Sequence, residues 1–489
     1  MVELQGAQSS SATSFEKDLE IQSHSPRSSS TQRQSDISKG EKAEEIDVEA
    51  EPDEFDENDP HAGGYAGPGD GSALGTRATR TSTKSSWKDP GPPPDGGWIG
   101  WTQAALCHLV ILNTWGFINS FGVFQTYYVT ALGRPPSDIS WIGSFQVFLL
   151  FFIGTFTGRL TDAGYFRQVF LAGSSIAVFG LFMASLSTTY WQVFLAQGVC
   201  CGVGSGFLFC PSLSLLSTYF SKKRSLAIGI AAAGSATGGM VFPAMVQQLL
   251  PKIGFPWTMR ALGFIQLGCL IICNIGIKPR VPPRKTGALV DWASFKEITY
   301  VLFATGMFFV FWGVYFAFYY LASYSRSVIG LSYPSSVNLL ITLNGVGVVG
   351  RVIPNFIADR YTGPLNMLLP SALITACLSF CWIAVSSVGG LYAWAIIYGI
   401  SASAIQSLFP ATLSSLTTNL RMQGTRMGMI FTIVSFAVLT GPPIAGQLIQ
   451  RKDGGYLYAQ VFAGSVMIVG CGFLVAAKLS KDRKLGVKM

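Results

Sequence analysis

Residues 168–221 read QVFLAGSSIAVFGLFMASLSTTYWQVFLAQGVCCGVGSGFLFCPSLSLLSTYFS, a stretch of 54 residues without Asp, Glu, Lys or Arg. A helix needs about 20 apolar residues to cross the hydrocarbon core of a bilayer. The stretch is therefore long enough for two crossings, and we expect the chain to turn back at its polar segment 187–190 (STTY). This pattern predicts a pair of membrane helices.

Nine more stretches without charged side chains give the number of helices. Eight of them fit one helix each, and the 60-residue stretch 361–420 must fold back near 386–390. The sum predicts an all-α membrane protein with twelve transmembrane helices, and an even number leaves both chain ends on one side. The nine stretches are 101–133, 139–158, 225–251, 261–277, 298–325, 327–350, 361–420, 427–450 and 454–477.

The composition agrees with a lipid environment and argues against nucleic acid as a partner. Only 12% of the residues are charged, whereas soluble chains are nearer 25%. Residues 97–489 carry 25 basic and 7 acidic side chains, but the basic ones are scattered between apolar runs and form no soluble basic patch. The nine cysteines lie inside apolar runs, so we expect neither a disulfide nor a metal, and no cofactor.

Residues 1–94 differ from the rest of the chain. They are rich in Ser, Thr, Gly, Pro and acid, with eleven carboxylates between Glu41 and Asp59. This composition predicts a disordered cytoplasmic tail on which regulatory kinases or the ubiquitin machinery could act. The rest is predicted to form an N-terminal six-helix half (95–278), a cytoplasmic linker (279–297), a C-terminal six-helix half (298–478) and a basic cytoplasmic tail (479–489).

Lys and Arg are unequally divided between alternate connections, which predicts the orientation. One set of connections holds thirteen of them and the other only six. The richer set should be cytoplasmic, so both termini should be cytoplasmic too. We expect a multi-pass protein of the plasma membrane, with an internal vacuolar membrane as the alternative. The richer set is Arg159, Arg167, Lys222, Lys223, Arg224, Lys278, Arg280, Arg284, Lys285, Lys296, Arg360, Arg421 and Arg426.

The two predicted halves resemble each other. The segment GRLTDAG (158–164) ends predicted helix 2, and NFIADRY (355–361) ends predicted helix 8, with their aspartates 197 positions apart. Arg224 before helix 5 likewise corresponds to Arg426 before helix 11. Weak repetition of this kind is typical of secondary transporters, which bind their substrate between pseudo-symmetric halves.

Three motifs carry a family resemblance. The connection after helix 2 resembles the Gly-x-Leu-x-Asp-x-x-Gly-x-Arg signature of the major facilitator superfamily, with Gly164 one position early. PDGGW (94–98) and YFSKKRSLAIGIAAAG (219–234) are similar to the helix-1 and helix-5 motifs of its monocarboxylate-porter-like branch, and WGFINSFGVFQTYY (115–128) resembles fungal members. The resemblance implies a substrate site between the two halves and motif residues that gate it.

The motif residues have expected roles at the membrane surface. Asp95, next to Gly96 and Gly97, could cap the start of helix 1, while Trp98 sits at headgroup level as a gate or as a plain anchor. We expect Lys222, Lys223 and Arg224 to fix topology. Two pairs, Asp162 with Arg167 and Asp359 with Arg360, are interpreted as charge clusters that close the cytoplasmic side, with loop solvation as the alternative.

Arg351 is the fixed charge expected deepest in the membrane. It precedes Asp359 by eight residues, about 12 Å along a helix. Asn344, Gly347 and Arg351 share one helical face, on which no carboxylate is available as a partner. An anionic substrate could supply the counter-ion, while bonding to backbone carbonyls is the alternative. The remaining substrate-binding candidates are Asn113, Asn119 and, from a helix with ten aromatic residues between Phe303 and Tyr320, Tyr315.

These observations predict a secondary transporter that moves a small organic acid by alternating access. The alternatives are a uniporter or exporter of a neutral or ring-bearing metabolite, and a transporter-like nutrient sensor. An enzyme is not expected, because the chain has only three histidines and no visible catalytic arrangement. Proton-coupled members of the resembling branch carry a Lys and an Asp where this chain has Asn119 and Gly347, so proton coupling stays open.

Overall fold

The computed structural model describes residues 93–283, 288–417 and 419–481. Nearly all of the predicted tails at 1–94 and 479–489 lie outside these residues. The described part of the chain is helical and contains no β-strand, as expected where lipid leaves backbone groups no partner outside their own helix.

Twelve membrane helices follow one another along the described residues, in agreement with the prediction. Their bounds are α1 Gly97–Asn119 continued by Phe121–Leu132, α2 Ser137–Asp162, α3 Phe166–Ala184, α4 Tyr190–Ser217, α5 and α6 within Arg224–Gly276, α7 Ile298–Ser327, α8 Tyr333–Thr362, α9 Pro364–Ala384, α10 Val388–Leu416, α11 Leu420–Gln450 and α12 Leu457–Lys481. The breaks between α3 and α4 and between α9 and α10 fall at the predicted turns.

Helix α5 (224–253) is followed directly by α6 (255–276), and the chain reverses between them at Gly254. Gly254 has φ 73° and ψ 171°, a conformation that glycine adopts without strain. Contacts with α1 show the reversal. Gln266 Nε2 donates to Asn113 O at 2.8 Å, and Gln103 Nε2 donates to Gly276 O at 3.1 Å, so α6 runs antiparallel to α1.

Helix α1 defines the two membrane faces. We call the face at which it begins, at Gly97, the near face, and the opposite one the far face. Its middle contains a π-helical turn, Leu112–Gly116, and its two parts meet at 40° next to Ser120. A π-turn inserts an extra residue into the helix and changes the direction of the side chains that follow it.

The two halves meet through glycines on the near side. A Cβ atom on Gly158 of α2 would lie 2.1 Å from Gly424 O of α11, and one on Gly229 of α5 would lie 2.4 Å from Arg351 O of α8. Only glycine permits such close approach, since side chains cannot occupy the gap. The two halves therefore touch backbone to backbone at two corresponding pairs of helices, α2 with α11 and α5 with α8.

Candidate functional site

Arg351 lies on α8 between the two halves with none of its surface exposed. Its Nη1 donates to Gly347 O at 3.2 Å and to Ser403 Oγ at 2.7 Å, while Nη2 donates to Gln406 Oε1 at 2.6 Å. Ser403 and Gln406 belong to α10, so two helices of the second half hold the guanidinium by neutral groups.

No carboxylate in the described part of the chain forms an ion pair with Arg351. Both ion pairs among these residues belong to Arg426, which binds Asp291 and Glu297 near the membrane surface. Arg351 Nε and Gln406 Nε2 are buried donors without a hydrogen-bond partner among the described residues. Buried donors are normally satisfied, so this end of the site can accept an oxygen-bearing anion.

A cavity of about 30 Å³ adjoins Arg351. Its walls are aromatic: the Trp115 and Tyr315 rings stack 5.9 Å apart at 10°, and Phe311 lies 5.7 Å from Tyr315. The lining comes from both halves and consists of Ile111, Trp115, Phe151, Phe209, Leu213, Ala232, Ser235, Phe311, Tyr315, Arg351, Gln406, Phe409 and Pro410.

The cavity has room for water but not for an organic metabolite. One water needs roughly 10–15 Å³ by the same measure, whereas small-molecule sites enclose about 300–1,000 Å³. The structure is therefore a closed conformation in which the aromatic side chains of the two halves touch. A ligand of that size can enter this cavity only if the halves move apart around Arg351.

Two aspartates join the two halves at the near face in the same way. Asp162, at the end of α2, accepts from Gly424 N at 3.1 Å and Thr425 N at 2.8 Å, where α11 begins. Asp359, near the end of α8, accepts from Ser225 N at 3.0 Å and Leu226 N at 2.7 Å, where α5 begins. A carboxylate suits the free amides and the positive dipole end of a helix.

These hydrogen bonds were not part of the predicted charge clusters, and the pairing of each aspartate with its arginine stays a prediction. The hydrogen bonds described for Asp162 and Asp359 go to helix amino termini, while the side chains of Arg167 and Arg360 are exposed. The guanidinium of Arg360 lies 5.4 Å from the ring centre of Tyr361. The repeated motif thus joins each half to the first turn of a helix in the other half.

The prediction that Asp95 caps α1 is wrong. The N-cap of α1 is Gly96, and no side chain caps it. Asp95 instead accepts from Ser221 N and, at 2.7 Å, from Lys222 N, just before α5. The cause is the backbone, because Asp95, Gly96 and Gly97 all have positive φ and turn the carboxylate away from its own helix.

The other motif residues surround this contact. Trp98 is 87% exposed, as expected for a side chain at headgroup level. Lys222 and Lys223 are exposed. Arg224 donates through Nη1 to Ser414 O of α10 at 3.1 Å, so it also joins the two halves.

The linker before α7 contains Asp291 and Glu297, the two carboxylates that form ion pairs with Arg426. Burial acts to raise the pKa of Asp291, but hydrogen bonds from Ser294 and Arg426 and the charge of Arg426 outweigh it and hold the pKa below its ordinary value. A lowered carboxyl pKa means that the contact is present at neutral pH and is lost only as the pH falls through that value.

Of the five predicted substrate-binding residues, Arg351 and Tyr315 line the cavity and the three asparagines do not. Asn113 O accepts from Gln266 Nε2, Asn119 Nδ2 donates to Ser235 O at 3.5 Å, and Asn344 packs against Gly239. Each lies where two helices pack.

Several cavity residues were not predicted, among them Trp115, Ser235 and Gln406. Ser403, Gln406 and Ser407 stand at i, i+3 and i+4 in a stretch without charges. This polar stripe on one helical face was the available signal for α10. No comparable signal distinguishes Trp115 from the other aromatic residues of the chain.

Comparison with known proteins identifies the family. The sequence model described as Major Facilitator Superfamily matches residues 106–442, more than half of the chain. The chain belongs to the major facilitator superfamily. A Gibberella zeae MFS-type transporter is 54% identical over 394 residues, which cover 80% of this chain and 89% of that protein. The predicted superfamily is confirmed, while the monocarboxylate-porter-like branch stays a prediction.

Two further relatives and one solved structure are similar to this chain. The aspyridones efflux protein of Emericella nidulans is 38% identical, covering 79% of each chain. The agnestins efflux protein of Paecilomyces divaricatus is 37% identical, covering 78% of this chain and 87% of its own. The crystal structure of the human organic anion transporter MFSD10 matches with a TM-score of 0.62 at 14% identity, over 77% of this chain and 99% of that one, which supports the fold.

Replacing Asp162 with asparagine is expected to loosen the near face. The neutral side chain loses its attraction to the amino end of α11, an interaction worth about 0.3–2 kcal/mol. Cys210, which is buried beside Gly424, reports the opening. Its modification by a membrane-impermeant maleimide, read by peptide mass spectrometry, should accelerate roughly tenfold.

Asp138→Asn provides the matched control, because Asp138 lies in the first turn of the same helix at the far face. Its Cys210 labelling rate should equal that of the wild type. Equal rates in all three proteins would show that Asp162 does not hold the near face closed.

Proposed function

We propose that this protein is a secondary transporter that exports a ring-bearing organic anion by alternating access between its two halves. The observation that carries the proposal is Arg351, which is buried at one end of an aromatic cavity between the halves and forms no ion pair with any described residue. The near face is taken as cytoplasmic, in accordance with its excess of Lys and Arg.

The charge of Arg351 argues for an anion. A buried charge without a counter-ion is costly, and a ligand that pairs with it recovers much of that cost. The planar guanidinium fork matches the two oxygens of a carboxylate, or two oxygens of a sulfonate. Gln406 Nε2, which has no hydrogen-bond partner among the described residues, supplies another donor beside it, so the acid group of the substrate belongs at this end.

The aromatic walls argue for a ring on the same substrate. Trp115 lies within 5.2 Å of Phe151 and 5.6 Å of Phe209, between ring centres, and it stacks on Tyr315. When the halves separate, a planar ring can replace one of these contacts without loss of ring packing. An aliphatic acid would leave the same surfaces poorly covered.

The relatives support export as the direction. Two of them are named efflux proteins, for aspyridones and for agnestins. We therefore place release of the substrate at the far face, on the outside of the cell or in the lumen of a vacuole.

Transport of naphthalenesulfonate by the full chain in proteoliposomes tests the proposal. This anion stays charged at any working pH, so it does not leak through the bilayer as a neutral acid. We expect saturable transport, competition by other aromatic sulfonates and carboxylates, and little competition by neutral naphthalenesulfonamide. Equal competition by the sulfonamide would favour a neutral ring-bearing substrate and overturn the assignment of Arg351.

A further inference from the structure

We propose that Arg326, in a cavity at the far face, forms a second binding site for the acid group of the substrate as it leaves. This inference rests on the proposed export of an organic anion. It adds Arg326 as a second binding residue on the way out. The site is separate from the cavity at Arg351.

The second cavity has a volume of about 510 Å³ and lies between α1 and α7. Its volume is in the range of small-molecule sites, unlike that of the closed central cavity. Polar side chains line much of it, from Gln125, Thr126 and Thr130 on α1 and from Tyr319, Ser323 and Arg326 on α7.

One face of α7 joins the two cavities. Tyr315 lines the central cavity, and Tyr319 and Arg326 line the outer one. These residues stand at i, i+4 and i+11, which places them on the same side of a helix. Eleven residues correspond to about 16 Å of helix. A substrate that follows this face outward from Tyr315 therefore arrives at Arg326.

Two rings separate the cavities in this conformation. Phe121 of α1 and Tyr319 of α7 have their ring centres 5.8 Å apart. Phe121 also follows directly on the 40° bend of α1. Movement of the two helices at this point opens a passage from Arg351 to Arg326.

The outer cavity has the chemistry that an acid-bearing ring requires. The Arg326 guanidinium lies 5.8 Å from the ring centre of Tyr333, and none of the described carboxylates forms an ion pair with it. Gln125 is only 6% exposed, and its Oε1 has no hydrogen-bond partner among the described residues. A hydroxyl group on the ring would satisfy that acceptor while the acid group meets Arg326.

The position of Arg326 favours release over retention. Its side chain is exposed, so water and salt weaken its pairing with an anion, and exposed pairs are worth at most about 1 kcal/mol. Arg351 is buried and binds more strongly. The substrate thus passes from a strong site to a weak one before it leaves.

A thiol probe tests the charge of the outer cavity without any substrate. Ser323→Cys is introduced into a chain with Cys377→Ala and Cys381→Ala, since those two cysteines are exposed. The rates of reaction with a sulfonate-bearing and a trimethylammonium-bearing methanethiosulfonate are then compared. Adding Arg326→Gln should lower the anionic-to-cationic rate ratio roughly fivefold.

Arg134→Gln is the matched control, because Arg134 is an exposed far-face arginine outside the lining of this cavity. It should leave the ratio nearly unchanged. An equal fall of the ratio in both variants would mean that Arg326 acts only through the general surface charge, and the second site would be rejected.

Binding of naphthalenesulfonate from each side separates this inference from the proposed function. For Arg326→Gln, the half-inhibiting concentration at the far face should rise about threefold to fivefold, while the half-saturating concentration at the near face stays that of the wild type. Wild-type behaviour of Arg326→Gln at both faces would overturn the second site alone. If the wild-type protein bound naphthalenesulfonate at neither face, the proposed function would be overturned and the second site with it.

Discussion

Arg351→Gln is expected to raise the half-saturating concentration for naphthalenesulfonate about tenfold to a hundredfold. Hydrogen bonds to a charged group contribute about 1.5–3 kcal/mol, and each 1.4 kcal/mol is a factor of ten. Folding should be nearly unaffected, because the substitution removes a buried charge that has no ionic partner among the described residues and keeps a polar side chain at this position. Transport assays at matched abundance measure the effect.

Arg351→Lys is the conservative variant to compare with Arg351→Gln. It keeps the charge but lacks the two-pronged geometry of guanidinium, so we expect partial recovery of affinity. A neutral sulfonamide should bind equally well, or equally poorly, to wild type, Arg351→Lys and Arg351→Gln. Unchanged anion transport by Arg351→Gln would reduce Arg351 to a residue that only joins α8 to α10.

Gly347→Asp is expected to abolish most anion transport near neutral pH. A Cβ atom at this position would lie 2.5 Å from Arg351 Nη1 and 2.5 Å from Ser403 Oγ. The new carboxylate would displace the guanidinium from Ser403 and pair with it one helical turn away. An internal anion then competes with the substrate. Transport should recover partly as the pH falls, because protonation of the carboxylate releases Arg351.

Gly347→Ala separates charge from crowding. It introduces the same Cβ contact with the movable end of Arg351 but no competing anion, so it should retain most of the transport and show no new pH dependence. Flux measured for both variants across a pH series distinguishes the two effects. If both variants lose transport equally at every pH, the loss comes from crowding against Ser403 and α10.

The number of helices could be predicted from the sequence because the bilayer makes the relevant signal local. Every backbone group inside lipid must be satisfied within its own helix, so an uncharged stretch such as 168–221 reports its own structure. The turns near residues 187 and 386 are predicted because the two uncharged stretches that contain them are too long for a single membrane crossing. Arg351 stands out for the same reason, because a single charge is expensive in an apolar stretch.

The partners of side chains depended on the tertiary structure. Asp162 meets Thr425 across 263 positions of the chain, and Asp359 meets Ser225 across 134. Nothing in the motif around either aspartate specifies a helix terminus in the other half. The positive φ at Asp95, which sends its carboxylate to Lys222 N, was equally invisible in the pattern PDGGW.

The composition of the candidate site was decided by packing. Arg351, Gln406 and Trp115 come from three helices, and the sequence analysis singled out only the first of them as a binding residue. Aromatic and aliphatic residues that face lipid resemble those that face another helix, because both surroundings are apolar and impose the same hydropathy. The close approach of the two halves, as at Gly158 and Gly229, turns some of these apolar faces inward around Arg351.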